Sequence, residues 1–124
     1  MTLWVVKVGT SLLRGETAAT IDGYARCFAG AMARGDQVVL VTSGAVGLGC
    51  QKLALSSRPD TVVALQAAAA IGQGALMALY ERAMERHGYS VAQVLLTRSD
   101  LADRRRYQNA SGTLRQLLSW GVLP

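Results

Sequence analysis

Apolar and polar positions alternate between two regimes along these 124 residues. Short, continuous, largely β-branched runs stand at 3–8 (Leu-Trp-Val-Val-Lys-Val), 37–41 and 90–96. Continuous runs of this length fit strands covered on both faces, as in parallel sheets. Between them lie longer segments of helical period. One is capped by Thr20 or Asp22 and runs to about Arg34, with Gly35 as its stop. A short helix follows the second run toward Leu53. A long one starts at Ser57-Arg58-Pro59-Asp60, with serine as N-cap and an acid three positions on, and ends near His87 before Gly88. Ser99 and Asp100 cap the next helical turns, residues 107–120 form a last helix, and Val122-Leu123-Pro124 reads as the opening of a fourth strand. Strands alternating with helices predict an α/β fold with a mainly parallel sheet. Because a new buried strand opens at the last residues, the expectation is the first half of a larger α/β unit.

The glycine-rich stretch 38–49 organises the rest. Val-Val-Leu-Val runs into Thr42-Ser43-Gly44, and glycines recur at 44, 47 and 49. Ligands of open parallel sheets bind at the carboxyl ends of strands, and glycine lets backbone approach them closely. Ser43-Gly44-Ala45 therefore sits where a small-molecule site is expected, although an ordinary strand-to-helix turn has the same composition. Lys7 lies inside an apolar strand, so it must be paired, reach water or meet an anion. Gly9-Thr10-Ser11 follows it and can present backbone N–H groups to phosphate oxygens.

Composition removes several classes of function. Hydrophobic residues make up 51% and mean hydropathy is +0.24, which excludes disorder. The net charge of +5 comes from eleven arginines and two lysines, scattered except for Arg104-Arg105-Arg106. That run reads as a solvated helix face, without any nucleic-acid recognition motif beside it. Cys27, Cys50 and the single His87 have no zinc-ligand spacing, no metal ligands are predicted, and a reduced cytosolic compartment is the simplest setting. Residues 61–80 lack charge over nearly the ~20 residues a bilayer span needs, yet nine are alanine or glycine and Gln66 and Gln73 interrupt them. A buried helix is the better reading. The glycine order 44-47-49 reverses a dinucleotide-binding turn, and Cys50 stands where a P-loop needs lysine. Ser43 lacks the nucleophile-elbow context of a hydrolase.

Four motifs in order give a more specific reading: Val5-Val-Lys-Val-Gly-Thr-Ser11, Val41-Thr-Ser-Gly-Ala-Val-Gly-Leu-Gly49, Gln66-Ala-Ala-Ala-Ala-Ile-Gly-Gln73, and Leu95-Leu-Thr-Arg-Ser-Asp100 with Arg106-Tyr-Gln-Asn-Ala110 and Thr113-Leu114. Together they resemble the glutamate 5-kinases (gamma-glutamyl kinases) of the amino-acid kinase superfamily, across essentially the whole chain. The Lys-x-Gly-Thr-Ser form separates them from relatives with Lys-x-Gly-Gly.

The resemblance implies a three-layer αβα sandwich and ATP- and Mg²⁺-dependent phosphorylation of the γ-carboxylate of L-glutamate, the first step of proline biosynthesis. It also implies a cytoplasmic homo-oligomer inhibited by proline; no nucleic acid is expected to bind this part of the chain, and no membrane. By the same resemblance Lys7 is catalytic and binds ATP phosphate with Gly9 and Thr10, while Ser43, Gly44 and Ala45 bind glutamate. Residues 1–124 then correspond to the amino-terminal, glutamate-binding portion of the kinase domain, without the nucleotide-base lobe or any carboxyl-terminal domain, and are not expected to turn over alone. The rival readings are another carboxylate or carbamate kinase of the superfamily, a non-catalytic glutamate- or proline-binding module, and a basic nucleic-acid-binding domain using Arg104–Arg106.

Overall fold

A computed structural model describes residues 1–10 and 16–124. Seven elements follow one another: β1 (Leu3–Val8), α1 (Thr17–Ala33), β2 (Gln37–Thr42), α2 (Ala45–Lys52), α3 (Val62–Glu85), α4 (Arg98–Ala102) and α5 (Arg104–Ser119). The α/β class expected from the sequence holds. β1 and β2 pair in parallel, with Leu3 opposite Gln37 and Val8 opposite Thr42. Asp36 fixes the start of this register. Its carboxylate accepts the Thr2 amide at 2.9 Å and the Trp4 indole N–H at 3.2 Å. The Thr2 amide and then the Trp4 indole hold the Asp36 carboxyl below the usual carboxylate range.

Side chains alternate across a strand, so Val6, Val8, Val38, Leu40 and Thr42 share one face. Val8 and Val38 are buried there with Ile21 and Phe28 of α1 and Leu76, Tyr80 and Met84 of α3. Each fully buried aliphatic side chain of this set contributes about 1.5–3 kcal/mol. The other face carries Leu3, Val5, Lys7 and Val41, all exposed. The described residues thus form a sheet with one helical layer, where three layers are expected.

Several boundaries differ from the sequence reading. α1 begins at Thr17, before the expected cap at Thr20, because the Thr20 hydroxyl bonds back to the Glu16 carbonyl at 3.2 Å from within the helix. α3 is capped by Thr61, whose hydroxyl accepts the Ala64 amide at 3.2 Å, and not by Ser57. The residue before a proline is pushed away from helical geometry, which delays the start past Arg58-Pro59. Thr97 and Asp100 cap α4 reciprocally, and the Asp103 carboxylate starts α5 three residues before the expected 107. Arg104–Arg106 form the exposed first turn of α5.

The third strand expected over 90–96 is reduced to a bridge between Val91 and Leu123. Leu123 donates to Ser90 at 3.0 Å and receives from Ala92 at 2.9 Å, while the Pro124 carbonyl accepts the Leu40 amide at 2.9 Å. Residues 122–124 therefore lie between β2 and 90–92, as a fourth strand would. Beyond Ala92 the apolar run has no ladder partner among the described residues and flanks a groove of about 360 Å³ facing β2. An apolar run makes a strand only where a neighbour supplies its hydrogen bonds.

α3 is long and apolar enough to cross a membrane by length and composition. Its buried residues Ala68, Gly72, Leu76, Tyr80, Ala83 and Met84 instead form one stripe, and it packs on α1 and α2. Contact with α2 is closest at two glycines. A Cβ on Gly49 would strike the Ala68 carbonyl, and one on Gly72 would strike the Ala45 carbonyl and come within 2.6 Å of the Gly49 nitrogen. Gly74, one residue beyond Gln73, faces open space.

These glycines give a paired prediction for the whole protein. Gly72→Ala should lower unfolding stability by about 2 kcal/mol or more, since backbone must move to admit the methyl group. Gly74→Ala should raise it by about 0.5–1 kcal/mol through reduced unfolded-state entropy. Urea denaturation followed by circular dichroism measures both, and equal effects of the two changes would contradict the packing described.

Candidate functional site

The carboxyl ends of β1 and β2 are tied together. The Ser43 amide donates to the Val8 carbonyl at 3.0 Å, and the hydroxyls of Thr10 and Ser43 are 2.9 Å apart. The Ser43 hydroxyl also lies 3.5 Å from the Val8 carbonyl oxygen. Parallel pairing brings these residues, 33 apart in the chain, to one end of the sheet. Gly44 makes the turn into α2 with φ of 110°, a conformation that side chains rarely tolerate.

Among the described residues no side chain caps α2. The first-turn amides of a helix lack intrahelical partners, and the helix dipole adds partial positive charge at that end. Gly44, Ala45, Val46 and Gly47 line a cleft of about 270 Å³ with Thr10, Thr42 and Ser43. Its far side is lined by Arg58, from the connection between α2 and α3, and by Gln73 of α3. Among the described residues the cleft thus presents hydroxyls, backbone amides and an arginine, and no carboxylate. That is a donor set for an anion.

Tyr80 supports the strand end from beneath. Its hydroxyl lies 2.9 Å from the Thr42 hydroxyl, beside the turn. Burial raises the Tyr80 phenol above its ordinary range, and the Thr42 bond opposes part of that shift. This contact keeps a buried polar group satisfied at the point where β2 becomes the turn.

Of the six residues singled out by sequence, Thr10, Ser43, Gly44 and Ala45 come together in the cleft. Lys7 is exposed on the open face of the sheet, opposite Val41 in register, and Gly9 is half-buried; neither lines the cleft wall. Ser11 of the same motif lies outside the described residues. Arg58, Gln73 and the Thr42–Tyr80 contact were not assigned roles from sequence. Gln73 closes the third motif directly after Gly72, and Arg58 precedes Pro59, so a signal existed for each without indicating where it points. Among the described residues no group of three or more His, Cys, Asp or Glu side chains gathers to hold a metal ion.

Residues 2–124 match the model of the amino acid kinase family, and the chain belongs to that family. Among its relatives is a protein of Synechococcus sp. (strain CC9605) named glutamate 5-kinase, 94% identical over 124 residues. Proteins of the same name from Parasynechococcus marenigrum (strain WH8102) and Prochlorococcus marinus (strain AS9601) are 78% and 45% identical. Each match covers the whole of this chain, which spans 35–36% of the length of those relatives.

Proposed function

We propose that the whole protein is a glutamate 5-kinase, transferring the γ-phosphoryl group of ATP to the γ-carboxylate of L-glutamate as the first step of proline biosynthesis. The observation that carries this reading is the contact between the Thr10 and Ser43 hydroxyls. It joins the loop that the resemblance gives to ATP phosphate to the turn that it gives to glutamate. The relatives named glutamate 5-kinase support the same assignment. A cytoplasmic homo-oligomer inhibited by proline belongs to this reading as well.

In the reaction a carboxylate oxygen forms a bond to the γ-phosphorus while the bond to the bridging oxygen of ADP breaks, its electron pair leaving with ADP. Catalysis of such a transfer is mostly positioning and stabilisation of charge on the transferred group. The Ser43 hydroxyl and the amides of Gly44 and Ala45 orient the glutamate carboxylate. Gly9 and Thr10 approach the phosphates from the end of β1. Lys7 extends its ammonium from the same strand end to offset charge on the phosphoryl group in flight. Bound with the nucleotide, Mg²⁺ would offset further charge on the phosphates. Turnover is a property of the whole protein, because these 124 residues span about a third of each relative.

Two substitutions in the whole protein separate these roles. Lys7→Met should raise the barrier by about 3 kcal/mol, the effect of losing one preorganised electrostatic partner, with little change in folding. Near-normal kcat would remove Lys7 from the chemistry. Ser43→Ala should raise KM for glutamate by about tenfold and leave KM for ATP within about twofold, since only the carboxylate loses a hydrogen bond. Equal changes for both substrates in steady-state kinetics would contradict the assignment of Ser43 to glutamate.

A further inference from the structure

Among the described residues, Arg58 is the one charged residue lining the cleft at Ser43–Ala45. It makes no hydrogen bond or ion pair with a described residue; the ion pair present among them joins Arg86 to Asp22 at 2.9 Å. An exposed arginine without a partner is ordinarily a solubilising residue. Arg58 differs because its backbone is held. Pro59 follows it and restricts it to extended geometry, and the connection is anchored on both sides. Leu53 and Leu55 bond back to Gly49 and Cys50 at 3.0 Å, and Thr61 caps α3. Arg58 thus borders a cleft whose other polar groups, among the described residues, are neutral hydroxyls, amides and the Gln73 carboxamide.

The geometry points to Arg58 as a specificity-determining residue that binds the carboxylate of the amino-acid substrate that is not phosphorylated. This rests on the glutamate kinase reading above. Glutamate brings two carboxylates, and they need opposite treatment. The reacting one must keep its electron density for attack on phosphorus, so neutral donors such as Ser43 suit it. The α-carboxylate takes no part in bond making and retains a full charge that neutral donors do not offset. A planar guanidinium fork pairs with it in two parallel hydrogen bonds, giving affinity and orientation together. Fixed at that end, the side chain of glutamate directs its γ-carboxylate toward the Thr10–Ser43 contact.

The test compares L-glutamate with its α-amide, L-isoglutamine, which keeps the γ-carboxylate and replaces the α-carboxylate by a neutral group of the same shape. In the whole protein, Arg58→Ala should lower kcat/KM for L-glutamate by about 30- to 100-fold, the effect of a lost charge-assisted pair. It should change kcat/KM for the α-amide by less than about threefold and leave KM for ATP unaltered, because the missing partner has already been removed. If the α-amide is not turned over, its inhibition constant against glutamate gives the same comparison. Arg58→Lys should fall between wild type and alanine. An equal loss with both compounds, or no loss with either, overturns the role of Arg58 while the kinase reading stands. A wild-type protein that does not phosphorylate L-glutamate overturns the kinase reading, and the role of Arg58 with it.

Discussion

Gly72 meets the carbonyl of Ala45 with no side chain between them, and much of the cleft depends on that contact. A hydrogen in place of a methyl group lets α3 lie backbone to backbone on α2. A second glycine, Gly49, does the same against Ala68 one turn farther along. The start of α2 is thereby fixed relative to α3, and Gln73 follows Gly72 onto the cleft wall. The same helix packs on α1 along its buried stripe and reaches Thr42 through the Tyr80 hydroxyl. One helix therefore braces both sides of the Ser43–Ala45 turn. Small residues at these points are spacing devices, and the alanine-rich character of α3 follows from close packing.

The electrostatic character of the cleft comes from what is left uncapped. β1 and β2 end side by side, the Ser43 amide is used on Val8, and among the described residues no side chain caps the first turn of α2. Among the described residues no carboxylate lines the space. Thr61, Thr97 and Asp103 cap α3, α4 and α5, whereas α1, like α2, has no side-chain cap among the described residues. An N-terminus left open beside two hydroxyls and an arginine is suited to an anionic ligand. Lys7 belongs to the neighbouring open face and shares only the strand end with this cleft.

Much of this was legible in the sequence because the relevant physics is local. The apolar runs of β1 and β2 met each other as expected, and Gly35, Gly44, Gly88 and Gly121 all adopt positive φ at turns between or beside elements. Ser43-Gly44-Ala45 lies at a strand end, where alternating β and α elements predicted a site. What was not legible depends on partners distant in the chain. Residues 93–96 have strand composition but, among the described residues, no neighbour to complete a ladder. Thr61 outcompeted Ser57 as a cap once Pro59 had displaced the chain from helical geometry. Arg58 carried no motif; only the fold of the connection between α2 and α3 brings it to the cleft.

The central claim is that the turn at Ser43–Ala45 holds the substrate carboxylate next to the loop that meets the phosphates. A crystal structure of the whole protein with L-glutamate and a non-hydrolysable ATP analogue tests it directly. The account predicts a glutamate carboxylate within hydrogen-bonding distance of the Ser43 hydroxyl and the Gly44 or Ala45 amide. It further predicts the terminal phosphate of the analogue beside Gly9 and Thr10, within reach of the Lys7 ammonium. Glutamate bound away from this turn, or phosphates bound away from the end of β1, would contradict it.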